Sequence, residues 1–318
     1  MKTAEILERV RGLKVLVVGD ICLDRWCTYD PAEALESAET GIPRVAVTRV
    51  EVTPGAGGTI ANNLAALGVG QVTVVGVVGR DGFGWELKEA LAARGIDGSR
   101  LVEVEGVQTF TYTKVINGDT GEEDRPRLDF VVNRPMSEAV EQAVMEQLGG
   151  KWDAVIVSDQ AETGAGGVVT AAVRQAIRGK LVWVDSRTRA EEFRGVILKP
   201  NEKEAEEACQ RAFGEVDFAR LRALTAAPLL IVTHGAKGAR LYTKTGVMWV
   251  PTRPVEKPVD ICGAGDSFTA GAVCALAVTG DAVRAAEFGN QVAAITIMKK
   301  GTGTASPEEL LHDAYDRD

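Results

Sequence analysis

Gly263-Ala264-Gly265-Asp266 sets one carboxylate at the mouth of a helix of small and apolar residues, 268–278. Two glycines and an alanine leave the backbone unobstructed, so successive N–H groups can converge on an anion at the positive end of the helix dipole. A carboxylate beside such a cradle suits one task, accepting the proton of a hydroxyl whose oxygen attacks a phosphorus atom held there. Asp24 supplies a second carboxylate. It follows the apolar run Val15–Val18, at the strand end where open α/β sheets bind ligands, and it suits recognition of a hydroxyl. A third group, Lys199-Pro200-Asn201-Glu202-Lys203-Glu204, follows the apolar run 196–198. Each has a plain alternative when taken alone: Asp266 and Asn201 as helix N-caps, Asp24 as a turn former, Lys199 and Arg187 as solvated surface charges.

Composition limits what these groups can serve. A chain of 318 residues, 45% hydrophobic, buries one large core or a core with a small satellite. The net charge of −9 argues against nucleic acid or an anionic membrane as partner. A polyphosphate would have to be received by a local pocket lined with N–H groups or cations. Five cysteines without a Cys-x-x-Cys spacing are expected to be free thiols in a reducing cytoplasm. Residues 1–19, with Glu5 and Glu8 ahead of a short apolar run, are too charged for a signal peptide or membrane span. Only two histidines occur, neither with a nucleophile motif. No Gly-x-Gly-x-x-Gly and no Walker sequence is present.

The elements that must position these residues follow from periodicity. Apolar runs at 15–18, 72–78, 154–157, 181–184, 196–198 and 229–233 read as buried strands, interleaved with helices at 85–94, 137–148, 166–177, 202–209 and 281–298. This βα rhythm predicts a mainly parallel sheet with helices on both faces. Strands 239–243 and 247–250 are expected as an edge hairpin. Period-two alternation at 43–52, 108–116 and 127–132 predicts a second, smaller sheet, suited to a lid or a dimerisation surface. Thr53–Gly68 is expected to be a glycine turn entering a helix, and Ser306-Pro307-x-Glu309 a capping box for a last helix.

Val259-Asp260-Ile261-Cys262-Gly263-Ala264-Gly265-Asp266 resembles the signature Asp-Thr-x-Gly-Ala-Gly-Asp of the ribokinase (PfkB) family of sugar kinases, with Ile261 in place of Thr. The resemblance implies an α/β fold, a ribokinase-like three-layer αβα sandwich with a mainly parallel central sheet and a small β-sheet lid. The expected core comprises 1–25, 53–107 and 134–318, and the lid 26–52 and 108–133. By the same resemblance, the Gly263, Ala264 and Gly265 backbone is the anion hole and Asp266 the catalytic base. Asn201-x-x-Glu204 matches the family's Asn-x-x-Glu, which holds the water and Mg²⁺ network about the phosphates; Glu204 and Asp260 are the implied acids near the metal. Thr233, Gly235 and Gly238 fall in a segment similar to the family's nucleotide loop. Asn290 lies near its adenine pocket, and Lys199 completes the expected ATP site. The family's first motif, Pro-Gly-Gly-x-x-Asn, is altered: Ala56 stands at the second Gly and Thr59 at the Asn, among Gly55, Gly57 and Gly58. The sugar is then expected to meet Asp24 and Thr59, or Asn62 and Asn63 one turn further on.

Several details resemble the heptose-7-phosphate kinase branch: Gly-Asp-x-x-Leu-Asp-Arg at 19–25, Arg127-Leu128-Asp129-Phe130 and Lys300-Gly301-Thr302-Gly303-Thr304. Arg127 is therefore a further expected substrate contact. No His-x-Gly-His occurs, so a kinase without an adenylyltransferase half is expected. The implied reaction is ATP- and Mg²⁺-dependent phosphorylation of a sugar hydroxyl, a monovalent cation such as K⁺ and a homodimer through the lid being further family traits. The alternatives are a kinase of the same fold for another sugar, sugar acid or nucleoside, and a non-catalytic ligand-binding relative.

Overall fold

The computed structural model describes residues 1–33, 35–131, 135–161 and 166–315. In chain order the elements are α1 (Thr3–Val10), β1 (Lys14–Gly19), β2 (Ile21–Tyr29), β3 (Val47–Ala56), α2 (Gly57–Ala66), β4 (Gln71–Val75), β5 (Val77–Gly79), α3 (Gly82–Ala92), β6 (Val102–Val104), β7 (Thr111–Asn117) and β8 (Leu128–Phe130). Then come α4 (Glu138–Gln147), β9 (Ala154–Asp159), α5 (Ala171–Ala176), β10 (Val182–Ser186), β11 (Ile197–Leu198), α6 (Glu202–Phe213), α7 (Phe218–Leu224) and β12 (Leu230–Thr233). The chain closes with β13 (Gly238–Tyr242), β14 (Val247–Pro251), α8 (Ala264–Thr279), α9 (Ala282–Thr296) and α10 (Pro307–Tyr315).

Eight strands form the central sheet in the order β14-β13-β12-β11-β10-β9-β1-β4. All neighbours from β4 to β12 are parallel, and the β13–β14 hairpin closes one edge antiparallel. Alternation along β1 shows why both faces must be covered. Val15 and Val17 join one core, with Ile60 of α2 and Val273 of α8, whereas Leu16 and Val18 join the other, with Val144 of α4 and Ala205 of α6. The result is the expected αβα sandwich. No helix among the described residues is long and apolar enough to cross a membrane.

A second sheet runs β3-β2-β7-β8. It differs in detail from the sequence-based expectation. β2 was not anticipated, because Ile21, Cys22 and Leu23 are all buried in succession and no period of two is visible. β3 starts at Val47 rather than Pro43 and runs on through Pro54 and Gly55 to Ala56, so the expected glycine turn is largely strand. Strand 72–78 is two strands, split at Gly76, where a side chain would meet the Gly19 carbonyl at 2.8 Å. Residue 132, the expected end of the last lid strand, lies outside the described residues. The helix expected from 166 is confined to Ala171–Ala176, capped by Thr170.

Candidate active site

A cleft of about 230 Å³ opens between the small sheet and the C-terminal ends of the central strands. Asp24, Thr59, Arg127, Gly263 and Asp266 line it together, so residues more than 200 positions apart in expectation meet at one place. Lys114, Trp26, Arg187 and Thr302 complete the wall. Sequence reading gave Lys114, Trp26 and Thr302 no site role, although Thr302 stands in the Lys300–Thr304 motif. The register explains the first two: β2 and β7 are parallel with Asp24 beside Tyr112 and Trp26 beside Lys114, which puts all four on one face of the small sheet.

Helix α8 starts at Ala264, four residues earlier than periodicity suggested. Gly263 is its N-cap with φ +76°, and a methyl there would stand 3.2 Å from Thr59 Cγ2 and 3.3 Å from Thr302 Cγ2. Asp266 is therefore the third residue of the helix and not its cap. Ala264 N–H donates to the Ile261 carbonyl at 3.2 Å, which leaves the first-turn N–H groups of Gly265 and Asp266 as the open donors of the cradle. Asp260 holds the turn in place: its carboxylate accepts from Cys262 N–H at 2.8 Å and Gly301 N–H at 3.1 Å.

Burial at the floor of the cleft pushes the Asp266 carboxyl up to about 8, with Asp185 and then Asp24 raising it further against Lys199 and Arg187. Asp24 is pushed up to about 6 by burial, against the pull of Lys114 and Arg127. Both carboxylates are thus stronger proton acceptors than ordinary aspartates.

The glycine-rich segment serves this arrangement through packing. Asp24 Oδ1 lies 2.5 Å from where a side chain on Gly55 would begin. At Gly57 the same space belongs to Ile21 Cδ1, and at Gly58 to Pro54 Cβ. Ala56 occupies φ +50°, a conformation that favours glycine, so the departure from the family motif carries backbone strain at the cleft wall. Thr59 is buried, its hydroxyl directed to the Pro54 carbonyl at 3.4 Å and its methyl packed under Gly263. Neither Asn62 nor Asn63 lines the cleft. Asn63 is fully buried and donates to the Thr59 carbonyl at 3.0 Å, which corrects the idea that it replaces the missing Asn.

The expected nucleotide residues gather along the neighbouring strand ends. Asn201 and Glu204 form a reciprocal capping box on α6, at 2.8 and 2.9 Å. Asn201 bridges to Thr233 at the end of β12, Gly238 pairs with Pro251 across the hairpin, and Asn290 donates to the Pro251 carbonyl at 3.3 Å. Gly235, at φ +57°, turns the chain between β12 and β13 with open space around it. Lys199 is not a solvated surface charge: it is 4% exposed and paired with Asp185 at 2.6 Å.

Among the described residues no three or more His, Cys, Asp or Glu side chains converge on a metal position. Asp260 already staples two loops and Glu204 already caps α6. Such a donor set fits a Mg²⁺ that keeps its waters and is held largely by substrate phosphates, with Glu204 and Asp185 both acting on the Lys199 ammonium that lies against the α8 turn.

Comparison with known proteins bears on the same region. The pfkB family carbohydrate kinase profile matches residues 13–309. The bifunctional protein HldE of Trichlorobacter lovleyi is 31% identical over 325 residues, covering 96% of this chain and 64% of that protein, so the chain spans just under two thirds of that relative. Among solved structures, the ribokinase of Thermotoga maritima superposes with a TM-score of 0.73 at 24% identity, covering 96% of this chain and 100% of that one. The Arabidopsis thaliana ribokinase, complexed with ribose and ATP, superposes with a TM-score of 0.67 at 19% identity over 95% and 99% of the two chains.

Proposed function

The chain belongs to the pfkB family of carbohydrate kinases, and from that premise we propose that it transfers the terminal phosphoryl group of ATP to a hydroxyl of a phosphorylated sugar, a heptose 7-phosphate being favoured. The observation that carries the reading is the cleft that joins the raised carboxylate of Asp266, the Gly263–Gly265 turn and Asp24 with the cations Lys114 and Arg127. Asp266 takes the hydroxyl proton as the oxygen attacks. The open N–H groups at the start of α8 receive charge on the phosphoryl oxygens. Asp24, held between β3 and β7, orients sugar hydroxyls. Mg²⁺, when bound with ATP, supplies charge neutralisation of the phosphates; Glu204 and Asn201 stand where its water shell would be met.

An anionic acceptor explains the cationic side of the cleft. Lys114 is shared with Glu123 at 3.8 Å, and Arg127 is paired with Asp129 at 2.6 Å while stacked over Tyr112. These partners hold both cations on the lid face, across from the base. A lost charge-assisted hydrogen bond is worth about 1.5–3 kcal/mol, so Lys114→Met or Arg127→Met should raise KM for a sugar phosphate by roughly 10- to 100-fold. The KM for ATP and the rate on an unphosphorylated sugar should stay unchanged. The measurement is a panel of sedoheptulose and heptose 7-phosphates, hexose phosphates, free sugars and nucleosides; a preference for uncharged acceptors would overturn the phosphosugar reading.

The lid further supports a homodimer. β3 is an edge strand of ten residues whose first five are exposed, with Val47 and Val50 next to exposed Ile42 and Val45. Unpaired backbone groups along an exposed edge strand of this length offer a template on which a second chain can pair. Light scattering should give twice the chain mass, and Val47→Lys/Val50→Lys should give the monomer; a monomeric parent protein would end this part of the proposal. The five unpaired thiols support a reducing compartment.

A further inference from the structure

We propose, resting on the sugar-phosphate reading above, that Trp26 sets the length of the acceptor, its indole packing against the carbon chain between the reacting hydroxyl and the phosphate. Asp24 and Trp26 are two residues apart on β2, so their side chains stand on one face of the small sheet, about 6.5 Å apart along the strand. Tyr112 and Lys114 of β7 lie beside them in the same order. Asp24 in turn acts on Asp266, and Lys114 acts on Asp24. Base, hydroxyl-binding carboxylate and cation thus follow one another along the cleft, and Trp26 stands at the cationic end.

The indole is held from both sides of the cleft. It grows from the small sheet, and its six-membered ring rests on the core, where a methyl on Gly301 would stand 3.3 Å from Trp26 Cζ2. That turn is itself fixed: Gly301 N–H donates to Asp260 at 3.1 Å, and Thr302 shares a hydrogen bond with Thr53 of β3 at 3.4 Å. Trp26 nevertheless stays half-buried and lines the cleft.

The wall beside it offers carbon and not donors. Thr302 and Thr59 engage their hydroxyls with Thr53 and the Pro54 carbonyl, while their Cγ2 atoms are the ones nearest a methyl placed on Gly263. The cleft is therefore two-sided. Asp24 meets acceptor hydroxyls, Lys114 and Arg127 meet the phosphate, and Trp26 with the two threonine methyls meets C–H groups. An indole supplies a large apolar face at little cost in side-chain entropy, and an edge already fixed lowers that cost further. A short sugar phosphate held at Asp24 ends before the ring. One with a longer carbon chain covers it and brings its phosphate to Lys114.

The test measures kcat and KM of the parent, Trp26→Ala and Trp26→Tyr on ribose 5-phosphate, fructose 6-phosphate and sedoheptulose 7-phosphate. The parent should favour the longest. Trp26→Ala should raise KM for sedoheptulose 7-phosphate by about 10- to 30-fold and for ribose 5-phosphate by no more than about threefold, the scale of apolar area lost in each case. The kcat and the KM for ATP should stay unchanged, and Trp26→Tyr, which keeps an aromatic face, should restore most of the difference. Equal factors on all three acceptors, a parent preference for ribose 5-phosphate, or a fall in kcat with a rise in the KM for ATP would overturn the assignment and leave the kinase reading intact. Any of these would mean that Trp26 only joins the small sheet to the core. A parent protein that phosphorylates no sugar phosphate removes the sugar-phosphate reading and this assignment together. Thermal melts identify an alanine variant that fails to fold; Trp26→Leu, which keeps apolar volume without a ring, then takes its place.

Discussion

Asp266→Asn is expected to lower kcat by about 10²–10⁴-fold, the usual contribution of a general base, while making the ligand-free protein more heat-stable. The first effect follows from the site, where Asp266 is the carboxylate at the cradle. The second follows from linkage. In the folded chain burial and neighbouring carboxylates hold Asp266 up to about 8, against an ordinary value of 3.8. Between those two values the folded state binds a proton that the unfolded state has released. Stability contributed by this group is therefore present at low pH and is lost as pH rises through the folded value. Asparagine cannot ionise, so the Tm advantage of Asp266→Asn should widen from about pH 4 to about pH 8 and level off above. The same titration should appear in the parent enzyme's activity. At subsaturating ATP, kcat/KM should climb with pH up to about 8, and the variant's residual rate should lack this limb. A flat profile in the parent, or a variant with undiminished kcat, would remove Asp266 from the role of base.

Gly263→Ala and Gly265→Ala should part in opposite directions. Gly263 sits at φ +76° with the methyls of Thr59 and Thr302 at 3.2–3.3 Å, so a side chain there meets both strain and contact. Its replacement should lower stability by about 1–3 kcal/mol and with it the yield of active protein. Gly265 is exposed, in ordinary helical conformation, and its nearest neighbour is Lys199 Nζ at 3.4 Å. Alanine there should stabilise the helix by up to about 1 kcal/mol. Its methyl would nevertheless stand between the ammonium and any anion on the turn. We expect Gly265→Ala to keep or raise Tm and to lose about tenfold or more in kcat, on the scale of a lost oxyanion donor. Parallel loss of Tm and activity in both variants would mean that the two glycines serve only the fold.

Much of this site could be read locally. Gly263–Asp266 announces itself because glycine, alanine and an acid before an apolar helix are features of one turn. Asn201 and Glu204 are legible for the same reason: a capping box is a contact between residues three apart. The parallel sheet was likewise legible from short apolar runs separated by helical stretches. β2 was not, because Ile21, Cys22 and Leu23 are buried in succession and Asp24 and Arg25 then follow together, so no alternation of apolar and polar residues marks the strand. The start of α8 was missed by four residues, since a helix that begins with glycine carries no apolar period in its first turn.

The sequence by itself determined the groups available: a carboxylate next to a glycine-rich helix start, a second carboxylate behind a buried strand, and a chain with a net charge of −9. It also determined the layered α/β architecture, because apolar spacing acts over a few residues. Tertiary structure decided which of those groups meet. Asp24 faces Lys114 only because β2 and β7 pair in one register, about 90 residues apart in the chain. Lys199 is a buried, paired cation and not a surface charge only because β10 lies beside β11 and α8 closes over both. Asn63, as plausible a sugar ligand as any in the sequence, is turned into the helix packing and lost to the cleft. Register and packing are sums over contacts between distant segments, and no single stretch of sequence contains them.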